Sequence, residues 1–279
     1  MPELPEVETI RRDLDKEVVG RRIKTVDVTG MRSIRRHPNK RHFVTKLEGQ
    51  KITAVERRGK YLLMRLDSGD ILIVHLGMSG QLLRAKATRE KPPKHTHVII
   101  SFTQGGQLRY VDPRTFGELF VTTPEELADQ IPELSHLGFD PIDDVMSWAR
   151  FGDLFHAKRA KLKGLLMDQK FVAGIGNIYS DEILFTAGLR YDRQSDTLSA
   201  QEVRRLYRAM GETLQDAIKH RGSSLADQQY RDIHGEIGEY QTLHKVYDRE
   251  GEPCPRCRSP IHKVKTSGRS HFLCEQCQV

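Results

Sequence analysis

Three observations predict an α+β multidomain chain. Short β-branched segments fill the first third, helical periodicity takes over near residue 147, and all four cysteines fall in the last 26 of 279 residues. A chain of this length can bury a sizeable core and divides into two domains plus a smaller module.

The leading segment MPELPEVETIRRDL reads as an amphipathic helix. Val7, Ile10, Leu14 and Val18 recur at steps of three and four, Pro5 suits a first turn, and Gly20 suits the stop. Pro2 and Glu3 fall outside that helix with no structural duty. KITAVERR, KYLLMRL, DILIVHL, HVIISF and QLRYV follow as short strands bounded by glycine or polar turns. Their number and spacing suit a sandwich or a barrel rather than a parallel α/β sheet.

PEELADQIPELSHLGFDP marks the crossing into a helical region from Ser147 to Arg221, with WARFGDLFHAKRAKLKGLLMD, SDEILFTAGL and SAQEVRRLYRAMGETLQDAIKH as its periodic segments. Residues 222–244 are glycine-rich and weakly periodic, and a loop this long points to function or disorder. The cysteines stand as two CxxC pairs, Cys254/Cys257 and Cys274/Cys277, 16 residues apart, which is the spacing of a four-thiolate zinc ribbon. A closed thiolate set leaves no position for catalysis, so one structural zinc is expected, with His262 and His271 as superfluous neighbours. Between the pairs, IHKVK and SHFL flank TSGR, a hairpin with Arg269 at its tip.

The chain carries 45 basic and 38 acidic side chains, for a net charge of +7. That excess favours a polyanionic partner. No apolar run has membrane-spanning length and the N-terminus lacks the basic-then-apolar order of a signal peptide, so a cytoplasmic protein without a membrane partner is expected.

Several stretches carry chemistry. FVAGIGNIYSDE puts Gly174 and Gly176 before Asn177 at a helix start, where backbone N–H groups can hold a phosphate, although taken alone it fits a compact helix–helix turn better. Lys158, Arg159, Lys161 and Lys163 precede it as a basic run. RRGKYLL sets Lys60 before a strand, VHLGMSG puts Met78 at a glycine-flanked tip, and YVDPRTFGE puts Arg114 and Phe116 at another. Apolar wedges with an arginine suit the opening of a base stack. His75 and His95 are each uninformative alone.

Taken together, MPELPEVETIRR, RRGKYLL, HLGMSG, DPRTFG, GIGNIYSDE and the terminal CPRC…CEQC with its SGR resemble the bacterial formamidopyrimidine-DNA glycosylases, in order along essentially the whole chain. The resemblance implies an N-terminal β-sandwich catalytic domain (1–135), a helix–two-turns–helix domain with a lesion-recognition loop (136–244) and a zinc finger (245–279). It also implies a bifunctional glycosylase and abasic-site lyase, monomeric and at work on the bacterial nucleoid. Its partner would be double-stranded DNA containing oxidised purines, such as 8-oxoguanine and formamidopyrimidines, or abasic sites.

On this resemblance Pro2, exposed by removal of Met1, is the Schiff-base nucleophile and Glu3 the proton donor. Lys60 is tied to β-elimination and Arg269 to δ-elimination and phosphate binding. His75, His95, Lys158, Asn177, Tyr247 and Lys263 are DNA contacts, while Met78, Arg114 and Phe116 fill the space of an extruded base. Three positions depart from the family pattern: Asp248 and Arg221 stand where glycine is common, and Thr115 where a basic residue is usual. Two other readings are an endonuclease VIII-like glycosylase of oxidised pyrimidines, against which Leu4 argues, and a non-catalytic damaged-DNA-binding protein, against which Pro2, Glu3 and Lys60 argue together.

Overall fold

The computed structural model describes residues 1–279 except Ser267, so the serine of the TSGR hairpin lies outside the described residues while Arg269 lies within them. The chain forms two compact units, one of residues 1–136 with 220–239 and one of 137–219 with 240–279.

The first unit runs α1 (Leu4–Val18), β1 (Ile23–Val28), α2 (Lys40–Leu47), β2 (Ile52–Arg58), β3 (Tyr61–Leu66), β4 (Ile71–His75), β5 (Gln81–Ala85), β6 (Thr96–Phe102), β7 (Gln107–Val111), β8 (Glu118–Thr122) and the short α3 (Leu127–Gln130) and α4 (Pro132–Ser135). Its strands make two antiparallel four-stranded sheets, β1-β6-β7-β5 and β2-β3-β4-β8, which settles the open choice in favour of a sandwich. Met64, Leu72 and Val74 from one sheet and Leu82, Val98, Ile100 and Leu108 from the other share a single buried core. The apolar stripe Val7, Ile10, Leu14 and Val18 lays α1 against the same core. Pro5 sits in the first turn of α1 and Gly20, at φ +82°, stands two residues beyond its end.

Strands β1, β5 and β8 were not among the five expected. QLLRA in β5 is interrupted by Arg84, while ELFVT in β8 is buried along its whole length, as is the expected QLRYV of β7. Residues 220–239, assigned by the sequence to the second domain, pack with the first unit. Tyr230 and Ile233 join its core, and Glu6 accepts the Ser223 N–H.

The second unit runs α5 (Trp148–His156), α6 (Leu162–Met167), α7 (Asn177–Ala187), α8 (Ala200–Lys219), β9 (His262–Thr266) and β10 (Arg269–Leu273). Gly188 closes α7 in the left-handed conformation. Strands β9 and β10 pair as an antiparallel hairpin in which Arg269 faces Thr266, and Phe185, Val246, Ile261 and Phe272 form a small core around Cys254 and Cys274.

Candidate functional site

At the start of α1 the chain concentrates buried charge. Pro2 is buried behind an exposed Met1, Glu3 is 3% exposed, and the Glu6 carboxylate reaches back to accept the Glu3 N–H at 2.7 Å. A glutamate at the third helical position capping in this way fixes how the chain enters the helix. Glu6 also takes the Ser223 N–H at 2.8 Å, so one carboxylate joins the N-terminal turn to the 222–238 loop. No sequence reading singled out Glu6, although the E-x-x-E spacing of Glu3 and Glu6 is a capping signal.

Lys60 occupies the turn between β2 and β3 and is 9% exposed. Burial pushes its ammonium below the ordinary lysine range, and the charges of Glu3 and Glu6 act against that fall. Lys60 therefore gives up a proton more readily than an exposed lysine. Its turn is fastened to α1 by Arg57, which donates to Glu8 at 3.1 Å and to the Gly59 carbonyl at 3.1 Å. Burial pushes the Glu8 carboxyl up, but Arg11, Arg12 and Arg57 outweigh it and hold the group below its usual range. That paired charge keeps Lys60 in register with the N-terminus.

His75 ends β4, opposite Tyr61 in the strand ladder, with the two rings 4.7 Å apart. Burial pushes its imidazole down to about 4, so it is a neutral hydrogen-bonding group at physiological pH.

Two surface tips are held together by one carboxylate. Asp112 accepts from Ser79 Oγ at 2.6 Å, Tyr110 Oη at 3.0 Å, Gly117 N at 2.9 Å and Arg114 N at 3.2 Å. Burial alone would raise Asp112, yet these donors hold it below the usual carboxylate range. A Cβ on Gly77 would meet Gly117 N at 2.6 Å, so the tips approach closely only because both positions are glycine. This brings half-buried Met78 to the same place as Arg114 and Phe116, which is 44% exposed. His95 is exposed at φ +65°, and its carbonyl accepts the Asp112 N–H at 3.0 Å.

In the second unit Asn177 opens α7 with a buried Oδ1 that has no hydrogen-bond partner in the structure. Gln169 braces the turn before it, donating to the Met167 and Ile175 carbonyls and accepting the Gly174 N–H. The basic run divides: Lys158 and Lys161 are exposed, Arg159 pairs with Asp196, and Lys163 is buried. Lys163 donates to Asp181 at 2.8 Å and to the Ser270 carbonyl at 2.8 Å, while Asp181 accepts the Phe272 N–H at 3.1 Å. Lys163 is thus an internal tie between α7 and β10 that positions Arg269, rather than part of a basic face. Arg269 itself is exposed beside a recess of about 200 Å³ shared with Lys161, Tyr191 and His271.

Lys263 lies over the Phe272 ring at 5.2 Å and 3.7 Å from Glu250, and Tyr247 packs on Phe272 at 5.0 Å. The buried Glu182, absent from the sequence reading, collects the N–H groups of Lys245, Val246 and Tyr247. An Asp-Glu pair at the head of an apolar helical segment is its only sequence trace. Asp248 and Arg221, the departures from glycine, both have positive φ (58° and 60°), as does Thr115 (55°). These are backbone positions that favour glycine, occupied by other residues.

The sulfurs of Cys254, Cys257, Cys274 and Cys277 lie within 4.8 Å of one another, with 3.9 Å between Cys254 and Cys277 and 3.4 Å between Cys257 and Cys274. Zinc–sulfur bonds of about 2.3 Å in a tetrahedron separate sulfurs by about 3.8 Å, so the cluster fits one structural zinc. His262 and His271 are outside it; His271 bonds Thr266 and stacks on Tyr191 at 4.2 Å.

Three family models match the chain. They describe the formamidopyrimidine-DNA glycosylase N-terminal domain (residues 1–119), its H2TH domain (137–229) and the zinc finger found in FPG and IleRS (251–279). A formamidopyrimidine-DNA glycosylase of Pelotomaculum thermopropionicum is 41% identical, over 100% of this chain and 99% of its own. The crystal structure of the MutM (Fpg) protein of Thermus thermophilus is 39% identical with a TM-score of 0.88, covering 99% of this chain and 98% of its own. A structure of MutM in complex with DNA containing carbocyclic 8-oxo-G is 33% identical with a TM-score of 0.88, covering 99% of both chains. With its N-terminal, H2TH and zinc-finger segments all matched and a relative 41% identical over its full length, the chain belongs to the formamidopyrimidine-DNA glycosylase family.

Proposed function

We propose that the protein is a bifunctional DNA glycosylase and abasic-site lyase that releases oxidised purines, 8-oxoguanine and formamidopyrimidines among them, from double-stranded DNA. The observation that carries this reading is the convergence of buried Glu3, Glu6 and Lys60 on the first turn of α1, directly beside Pro2. A family relative solved with 8-oxo-G DNA supports the substrate class.

Removal of Met1 leaves Pro2 with a secondary amine. An α-amine has a pKa of about 8 and the positive end of α1 lowers it, so a nucleophilic fraction exists at neutral pH. The nitrogen attacks C1′ as the C1′–base bond breaks, and the proton released from the nitrogen balances the one taken up by the departing base. The C1′–O4′ bond then opens to give the iminium, with Glu3 donating a proton to O4′. The resulting iminium acidifies the C2′ proton. Loss of that proton expels the 3′ phosphate, and a second elimination expels the 5′ phosphate. Lys60 exchanges protons with Glu3 during elimination, and Arg269 neutralises a departing phosphate. Met78, Arg114 and Phe116 fill the stack vacated by the extruded base. His75, His95, Lys158, Asn177, Tyr247 and Lys263 serve the phosphate backbone and strands. The protein acts as a monomer in the bacterial cytoplasm, at the nucleoid.

Comparison of base release from an 8-oxoguanine·cytosine duplex and a thymine-glycol duplex tests this function. Faster release of the purine is expected; preferential release of the pyrimidine, or no release from either, contradicts it.

A further inference from the structure

Arg221 stands where α8 hands over to the 222–238 loop, with φ +60°. Its side chain touches two carboxylates at once. It donates to Asp13 on α1 and, through Nε at 3.1 Å, to Asp232 within the loop. Asp13 is 7% exposed and Asp232 is 3% exposed. The other oxygen of Asp232 takes the N–H groups of His234 at 2.9 Å and Glu236 at 3.0 Å. One guanidinium therefore bridges two buried acids that would otherwise repel each other, and Asp232 in turn orders the loop backbone.

The loop is also pressed against the first turn of α1. A Cβ on Gly222 would meet Glu6 Oε1 at 2.6 Å, and the next residue, Ser223, donates its N–H to that oxygen. Tyr230 Oη donates to the Arg221 carbonyl at 2.9 Å, which returns the loop to its own base.

We propose that Arg221 is a positioning residue that orders the 222–238 loop on α1 before substrate arrives. The kinetic part of this proposal rests on the function argued above; the structural part does not. Preordering removes the penalty of selecting a competent loop from a disordered population, so its loss raises KM for lesion DNA with kcat little changed.

The test uses the full-length zinc-bound protein and two variants, R221G and R221K. Glycine relieves the positive-φ strain while deleting the tie, so backbone relief alone would protect the loop and loss of the tie would expose it. Amide hydrogen exchange without DNA should accelerate about tenfold at residues 223, 234 and 236 in R221G. R221K should fall between, because an ammonium lacks the fork that grips both acids. In R221G the KM for 8-oxoguanine duplex should rise about tenfold while cleavage of a pre-formed abasic site changes little. Unchanged or slower exchange in R221G overturns the proposal whatever the enzyme's activity. Absence of purine release by the unaltered protein overturns the function instead and leaves the exchange result standing.

Discussion

The Arg114 guanidinium lies over the Phe116 ring, 5.0 Å from its centroid, on a surface tip that is tied to the Met78 tip through Asp112. A cation stacked on an exposed aromatic steadies that ring at the surface, and on the function proposed above the ring enters the base stack. Phe116→Ala should slow base release from duplex DNA about thirtyfold, the equivalent of about 2 kcal/mol of unstacking assistance. Cleavage at a pre-formed abasic site, where less stacking must be broken, should change far less. Equal losses on both substrates would mark Phe116 as an ordinary packing residue.

Zinc removal should act on one unit only. The zinc-site core of Phe185, Val246, Ile261 and Phe272 belongs to the second unit, and the sandwich core contains none of these residues. Cys257→Ser should abolish stoichiometric zinc, unfold the β9–β10 hairpin and weaken DNA binding about tenfold or more through loss of Arg269 and Lys263. The first unit should keep its β-sheet circular dichroism. Full activity in protein that elemental analysis shows to be free of zinc would refute the structural role.

Glu202 gives a pH prediction with a defined sign. It lies three residues after Ser199, at the start of α8, and accepts from Arg193, the Ser199 N–H and the Ser199 hydroxyl. The Arg193 hydrogen bond, opposed by burial and aided by Ser199, holds its carboxyl down at about 2, against an ordinary 4.5. A depressed carboxylate contributes stability above its unfolded pKa and loses it as pH falls through the folded one. Glu202→Gln should therefore lower stability by about 1–2 kcal/mol at pH 7. The difference from wild type in denaturant titrations should shrink between pH 4.5 and pH 2. A difference that grows on acidification would reverse the assignment.

DNA affinity should fall steeply with salt, because the net charge of +7 includes exposed Lys158 and Arg269. Each backbone contact removed, as in Lys158→Ala, should flatten the log–log salt slope by about 0.9. Binding independent of salt would contradict a phosphate-tracking surface.

Sequence alone exposed what is periodic or strictly spaced. The α1 stripe, the five short β-branched segments bounded by turns and the CxxC pairs each carry a local pattern that physics translates directly. The residues that position the site do not. Glu6, Glu182 and Asp112 are acids whose partners lie up to 217 residues away, as Glu6 and Ser223 show. Lys163 sits in a basic run and looks solvated, yet Asp181 and Ser270 make it an interior tie. Pairings of that kind depend on tertiary approach, which leaves no period in the chain. Arg221 is intermediate: its departure from glycine is visible in the sequence, but its two acids become evident only when the loop folds against α1.

Borohydride trapping bears directly on the assignment of Pro2 as the nucleophile. Reductant added during turnover should fix a protein–DNA adduct, with peptide mapping placing it on residue 2 of Met1-free protein. Protein that retains Met1 should neither trap nor cleave abasic strands at the normal rate. Normal cleavage by Met1-retaining protein, with the adduct mapped to Lys60, would contradict the claim.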